Sequence, residues 1–525
     1  MDQSTETGSR TGPIWRRSIF RVPKEAFLRR WAWRMVKLGP PGLLLFLLLV
    51  WTFVNCLGSW SLHREIKKLK VLGVPMEAKL ADTRPRTRPG NAPPSWREEH
   101  DDADNAARLY RAASLIIVPP DEEDAPLLPT YVGRDAQAPP PLGVQLPPEN
   151  LEACLRHLER NRQALLVLDE ARRLPECRFM VDWSDPSSIL YHLSDLRRCS
   201  DLLLVNGYVA VAEGDFEQAV HEYRASFLAG RRLCLEPAAM SQIIRLNLCE
   251  KALRNGLERT LGLGAIPIGL IEEVAGEIEQ ENSEFDMSRS AFFQAAMLIE
   301  GVEQLRGGLK GYDWVWGQYY NRCGFLFYVK SGLFKLDAAK AMREHRRIIE
   351  NLDLPLFERY QAMLGAEREL SQDLGAWGHI HILRWTIRLR PILGPWNKFR
   401  YPLTSSLPSQ MVYNVRRELD YHALLGATQT ALAFEMFRLK EGSFPDEAEQ
   451  AFEDGTKVPI DPYTGDHFKI AHTESGLTFY SLGRNGEDDG GAVLRDEVGE
   501  YKDIGFRLLA PGKQGQTEVG NVVRP

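Results

Sequence analysis

Four oxygen-bearing residues near the C-terminus are the strongest candidates for chemistry in this chain. Asn485, Asp488 and Asp489 stand close together among glycines, and Asp503 follows after the stretch Ala492–Lys502. Calcium takes about six to eight hard oxygen ligands, drawn from carboxylates, amides and backbone carbonyls. Glycine supplies the backbone freedom that lets carbonyls turn inward. Asn485, Asp488, Asp489 and Asp503 therefore form a candidate calcium site. The competing reading is a solvated acidic turn that closes a hairpin.

Other groupings carry less chemistry. His379 and His381 can place two imidazoles on one side of an extended segment, but Trp377 and Trp385 beside them suit a packed surface. Glu273, Glu277 and Glu281 recur at helical spacing and read as a solvated face. Tyr312, Trp314, Trp316, Tyr319 and Tyr320 form an aromatic cluster, suited to a ligand or, more commonly, to core packing. The seven cysteines (Cys56, Cys154, Cys177, Cys199, Cys234, Cys249 and Cys323) include no CxxC pair; the six beyond the membrane segment permit disulfides in an extracytoplasmic region, but most read as small buried hydrophobes. The sequence contains no GxSxG, HExxH or Walker A motif, and no GxGxxG leading into a helix.

The elements that must position these residues begin at a membrane. No charged residue falls between Lys37 and His63, and Leu43–Leu57 is mostly Leu, Val, Phe and Trp. A stretch of that length crosses ~30 Å of hydrocarbon as a helix. Pro40 and Pro41 are read as its first turn, and Trp51 and Trp60 suit the far interface. Residues 1–37 hold nine Arg and Lys against three acids, which places the N-terminus in the cytoplasm and the bulk beyond the membrane. Residues 14–37 alternate basic and apolar side chains and suit either the headgroup layer or a simple basic flank. With 65 basic and 71 acidic residues the formal charge is −6, so the chain lacks the basic excess of a nucleic-acid binder.

Beyond the anchor the expected class is mainly α. Residues 81–102 and 118–148 are rich in Pro and charge and read as linkers. A short helix starts near Asp104–Asn105. Helical periodicity follows over 149–174, 187–212, 215–233, 237–260, 267–303 and 334–372, the last split near Asp353–Pro355. From residue 421 a long helix runs to Gly442, and Phe468–Ile470 and Leu477–Tyr480 read as two strands joined by a turn at Glu474–Gly476. The expected division is a basic segment (1–37), a transmembrane helix (38–60), a juxtamembrane and Pro-rich region (61–148), a helical-hairpin array or bundle (149–410), a small α+β module (415–510) and a tail (511–525).

Two resemblances bear on function. Gly207, Gly214, Phe216, Ala219 and Tyr223, within 200–233, resemble a single tetratricopeptide repeat, with Ala210 and Arg231 departing from its pattern. The segment from about 421 to 509 resembles the C-terminal region of type II secretion major pseudopilins. The matching signals are Gly442-x-Phe444-Pro445, Asp461-Pro462 with Gly465, Tyr480-Ser481-Leu482-Gly483-x-Asn485-Gly486, Asp488-Asp489-Gly490-Gly491 and Asp503-Ile504-Gly505. In that family the final loop binds calcium, so the resemblance implies a site here. The insertion-like stretch before Asp503, and an anchor without a prepilin leader or an early Glu, depart from the family. The expected function is a single-pass scaffold or interaction protein of the cell (inner) membrane, tied to secretion or pilus-like assembly and meeting other envelope proteins. The alternative is an envelope enzyme with its site in the helical domain.

Overall fold

In the computed structural model the chain is mainly α-helical, with one long apolar N-terminal helix and a small three-stranded sheet at the C-terminal end. The structure describes residues 24–76, 104–130, 142, 144, 146–181, 183, 190–261, 263, 266–306, 332–376, 402–452, 457–473, 476–493 and 502–510. His379, His381 and the aromatic cluster at 312–320 lie outside them.

Helix α1 (Lys24–Val71) is the one described helix long and apolar enough to cross a membrane. Leu43–Leu49 are all more than half exposed, as a lipid-facing surface requires. The helix is longer than expected at both ends. Pro40 and Pro41 stand inside it rather than at its start, and residues 61–71 continue it instead of forming a separate juxtamembrane piece. The reason for the second extension is packing. Leu62 and Leu69 are buried against α10 (Gly332–Glu350), and the buried Glu65 accepts hydrogen bonds from Arg346 Nε (3.0 Å) and Lys68 Nζ (3.2 Å).

The helical array begins with α2 (Ala107–Ile116), α3 (Pro148–Arg160) and α4 (Arg162–Ala171). The single helix expected over 149–174 is two. Asn161 is fully buried, and its side chain accepts from Val118 N (2.7 Å) and donates to Val118 O (3.0 Å), so it serves another segment and breaks the helix. Next come α5 (Tyr191–Glu213), α6 (Phe216–Arg231) and α7 (Ala239–Lys251), which runs through a π-helical stretch Ala252–Leu257 into a last turn, Glu258–Thr260. Helices α8 (Ile268–Glu284), α9 (Ser288–Arg306), α10 and α11 (Leu356–Ala376) follow. Helix α12 (Pro402–Glu441) starts well before residue 421 and crosses the expected boundary near 410–415.

The hairpin α5–α6 turns at Gly214, in the left-handed region at φ 81°, and the Asp215 side chain caps α6 by accepting from Gln218 N (3.0 Å). The Tyr223 ring is buried between Gly207 and Gly256. A Cβ built on Gly207 would stand 2.3 Å from Tyr223 Cε1, and one on Gly256 2.5 Å from the same ring. Three buried clusters result. One joins α2–α7, the largest joins α1, α6–α12 and the sheet, with α6 and α7 contributing to both, and a small third packs Leu204 and Ala210 of α5 with Ala219 and Tyr223 of α6.

Strands β1 (Lys469–His472), β2 (Gly476–Ser481) and β3 (Ile504–Leu509) form an antiparallel sheet in the order β1-β2-β3. Ile470 pairs with Phe479, and Phe479 with Phe506. The third strand adds to the two expected. The sheet lies on α12 through Phe434 and Phe479, whose rings sit 4.7 Å apart.

Two tests follow from the α5–α6 hairpin. Gly207→Ala overpacks Tyr223 and is expected to lower stability by about 1–3 kcal/mol, read by thermal melting in detergent. Glu222 is buried beside Arg172 (3.7 Å), and burial pushes its carboxyl up to about 7 from 4.5. Its protonated form is the one folding favours, so this contribution is full below pH ~4.5 and is lost as pH rises through ~7. Relative to the parent, Glu222→Gln is expected to gain about 2 kcal/mol between pH 5 and pH 8.

Candidate functional site

The acidic loop leaves β2 at Ser481 and returns to β3 at Ile504. It is pinned to α12 by one buried carboxylate. Asp420 receives the Arg484 guanidinium and the Tyr463 hydroxyl, the latter at 2.6 Å from Oδ1. Tyr463 belongs to a tight turn in which Asp461 accepts from Tyr463 N (2.9 Å) and Gly465 takes φ 79°. The pair Asp461-Pro462 thus sets the corner that delivers Tyr463 to Asp420.

Beyond Arg484 the chain turns at Gly486, Gly490 and Gly491, all at positive φ. Gly491 is confined on its open side: a Cβ there would meet Thr478, Ala471 and Tyr480 at 3.2–3.3 Å. Asn485 Nδ2 donates to Asp489 Oδ2 (2.9 Å), and its Oδ1 accepts from Glu487 N (3.2 Å). Lys502 Nζ stands 3.8 Å from Asp489 Oδ1.

Asp503 is fully buried. Its Oδ2 accepts from Gly491 N (2.9 Å) and Ala492 N (3.2 Å), whereas among the described residues its buried Oδ1 has no hydrogen-bond partner. Burial pushes this carboxyl above the usual range, and the nearby Asp489 charge adds to the shift against the opposing amides. Asp488 faces elsewhere. Its carboxylate accepts from Lys469 Nζ on β1 (2.6 Å), Tyr480 OH (3.0 Å) and Gly490 N (3.0 Å), and the Lys469 bond holds it below the ordinary range. The four candidate residues therefore divide. Asn485 bonds Asp489, whose charge reaches Asp503, while Asp488 is engaged by Lys469 and Tyr480 of the hairpin. Among the described residues, no group of three or more His, Cys, Asp or Glu is arranged to hold a metal ion.

No family model, curated protein or solved structure matches this chain.

The acidic row on α8 differs from its expected solvated face. Glu273 is exposed, but it and Glu277 both bind Arg224 of α6, at 2.5 and 2.8 Å. Glu281 is fully buried and accepts from Arg245 (2.6 Å), Arg231 (3.0 Å) and Tyr421 OH (3.2 Å). Periodicity shows that these residues share a face. It does not show that arginines of α6 and α7 stand opposite.

Asp503 is also the loop's structural keystone, because it satisfies two amides that would otherwise be buried unpaired. Asp503→Ala is expected to cost about 1–3 kcal/mol and to raise hydrogen exchange at Gly491 and Ala492. Unchanged protection at both amides would dismiss that role.

Proposed function

We propose that this chain is an envelope scaffold or interaction protein, anchored in the cell membrane by α1, with its N-terminus in the cytoplasm and its helical array and C-terminal module beyond the bilayer. The observation that carries this reading is the passage of one helix from a lipid-facing surface into a protein core: Leu43–Leu49 are exposed, while Leu62, Glu65 and Leu69 are buried a few turns on. Such a helix holds the array at a fixed height and orientation over the membrane. The basic excess of residues 1–37 supports the orientation. Exposed Leu115, Ile116 and Val118 at the end of α2, with Leu155 on α3 and Leu166 on α4, offer apolar contact to envelope proteins.

The resemblance to type II secretion pseudopilins supports a link to secretion or pilus-like assembly, and with it calcium at the acidic loop. Asp503 Oδ1 fits a hard cation: it is a buried carboxylate oxygen with no hydrogen-bond partner among the described residues, near a second carboxylate, Asp489, that itself bonds a side-chain amide. Asp489, Asp503 and Asn485 would hold the ion, with carbonyls from the glycine turns completing its shell. The ion would neutralise two neighbouring carboxylates and fix the crossing from β2 to β3. The Ca²⁺-bound loop is a structural clamp in this reading, not a reaction centre.

The full chain in detergent is expected to melt higher in millimolar calcium than in chelator, since a ligand that binds only the folded state stabilises it. The rise should vanish in Asp489→Ala and persist in Asp488→Ala. Identical melting with calcium and chelator would remove the ion from this proposal.

A further inference from the structure

Two free thiols far from the acidic loop, Cys177 and Cys234, are brought to one cleft by the packing of α4, α5 and α6. The chain leaving α4 (Leu174–Phe179) runs beside the chain leaving α6 (Arg232–Glu236). At one end Arg232 donates to the carbonyls of Leu174 (2.6 Å) and Pro175 (2.8 Å). At the other end the Phe179 ring stacks on His192 at 4.5 Å, and His192 Nε2 stands 2.8 Å from the Glu236 carboxylate. The two contacts join residue 175 to 232 and, through His192, 179 to 236. Cys177 lies midway along the first segment and Cys234 midway along the second, and both line a single cleft of about 430 Å³.

We propose that Cys177 and Cys234 form a disulfide in the mature protein, stapling the exit of α4 to the exit of α6. This rests on the extracytoplasmic placement proposed above, because disulfides persist in oxidising compartments. The other described thiols are placed differently. Cys154, Cys199 and Cys249 are fully buried in the helical cores, and Cys56 lies on the apolar stretch of α1. Cys177 is only half-buried and Cys234 is exposed, unlike the thiols sealed in the cores.

In the reaction the two thiols lose two protons and two electrons as the S–S bond forms. The acceptor is a disulfide of a thiol–disulfide oxidoreductase or of a small thiol: one cysteine thiolate attacks it to give a mixed disulfide and release one thiol, and the second cysteine thiolate attacks that mixed disulfide and releases the other. Burial pushes the Cys177 thiol up to about 12, and Cys234 is also raised. Few thiolates are then available in the folded reduced chain, so the bond is expected to form during catalysed folding rather than by later air oxidation.

The test uses the full chain, extracted from bacterial membranes in detergent with its thiols blocked by N-ethylmaleimide. Non-reducing digestion and mass spectrometry should return one cross-linked peptide holding Cys177 and Cys234. Cys177→Ser should leave Cys234 open to maleimide, and that variant should melt below the oxidised parent and level with the reduced parent. A cross-link that is absent from cells, but forms when the chain is unfolded and refolded in a glutathione redox buffer, would keep the thiol alignment and overturn the bond in the cell through its location. Two free thiols in cells and after such refolding would overturn the alignment itself.

Discussion

The carboxylate of Glu281 is the point around which this fold closes. It has no solvent exposure, and it sits where α6, α7, α8 and α12 meet: Arg231, Arg245 and Tyr421 all turn toward it. A carboxylate taken out of water without partners costs several kcal/mol, and breaking a buried pair leaves the surviving charge stranded. Arg245 is itself almost fully buried, braced by Gln242 (3.2 Å) and by the Phe285 face 4.9 Å away. The four helices therefore have little freedom to dock another way. Apolar burial supplies most of the stabilisation of such an interface, but it tolerates sliding. A charge that must find two guanidiniums and a hydroxyl at hydrogen-bond distance does not.

That constraint carries into the C-terminal module because α12 belongs to both. Immediately before Tyr421, Asp420 gathers Tyr463 and Arg484 and so fixes the two loops that flank the β1–β2 hairpin. The sheet is tied a second time, from behind. Arg254, in the π-helical stretch, donates to Gly505 O (3.0 Å), and Glu258 accepts from Arg507 N and Nε (2.9 Å each). The π-helical stretch also brings Gly256 against Tyr223, so the segment that holds β3 is the one that locks the α5–α6 hairpin. The module is thus not appended to the helical array by a tether. Its helix, its third strand and its loops each end on a charged group rooted in the array.

The parts of this architecture legible in the sequence are those written in local terms. The uncharged run from Leu38 to Leu62 announces the apolar helix, Gly214 and Asp215 announce a helix end and a helix start, and the alternation around Phe479 announces a strand. The division of α10 from α11 at Pro355 was likewise written in the chain. What was not legible depends on partners remote in sequence. Asn161 looks like any helical residue until Val118 occupies it. Strand β3 begins Ile504-Gly505-Phe506-Arg507, and that Arg507 points to a buried glutamate nearly 250 positions earlier cannot be read locally. In the acidic loop, composition nominated Asn485, Asp488, Asp489 and Asp503 together. Only the strand register, which sets Lys469 opposite Tyr480, shows why Asp488 is drawn to the hairpin.

The same logic applies where the apolar stretch of α1 ends. A flexible tether after Trp60 would let the array tumble, and the sequence around His63–Lys70 is charged enough to have suggested one. Instead Glu65 is buried between α1 and α10 with Arg346 and Lys68 upon it, and Leu62 and Leu69 are buried one turn to either side. Lys335, near the start of α10, donates to Ser59 (2.9 Å), and Arg64 lies 5.5 Å over the Trp60 ring. Contacts therefore run along α1 from the last residues of the apolar stretch into the core. Because unpairing Glu65 would leave a buried charge, and not merely expose two leucines, the helix cannot detach in part without losing that ion pair. The direction of the array is set by the direction of α1.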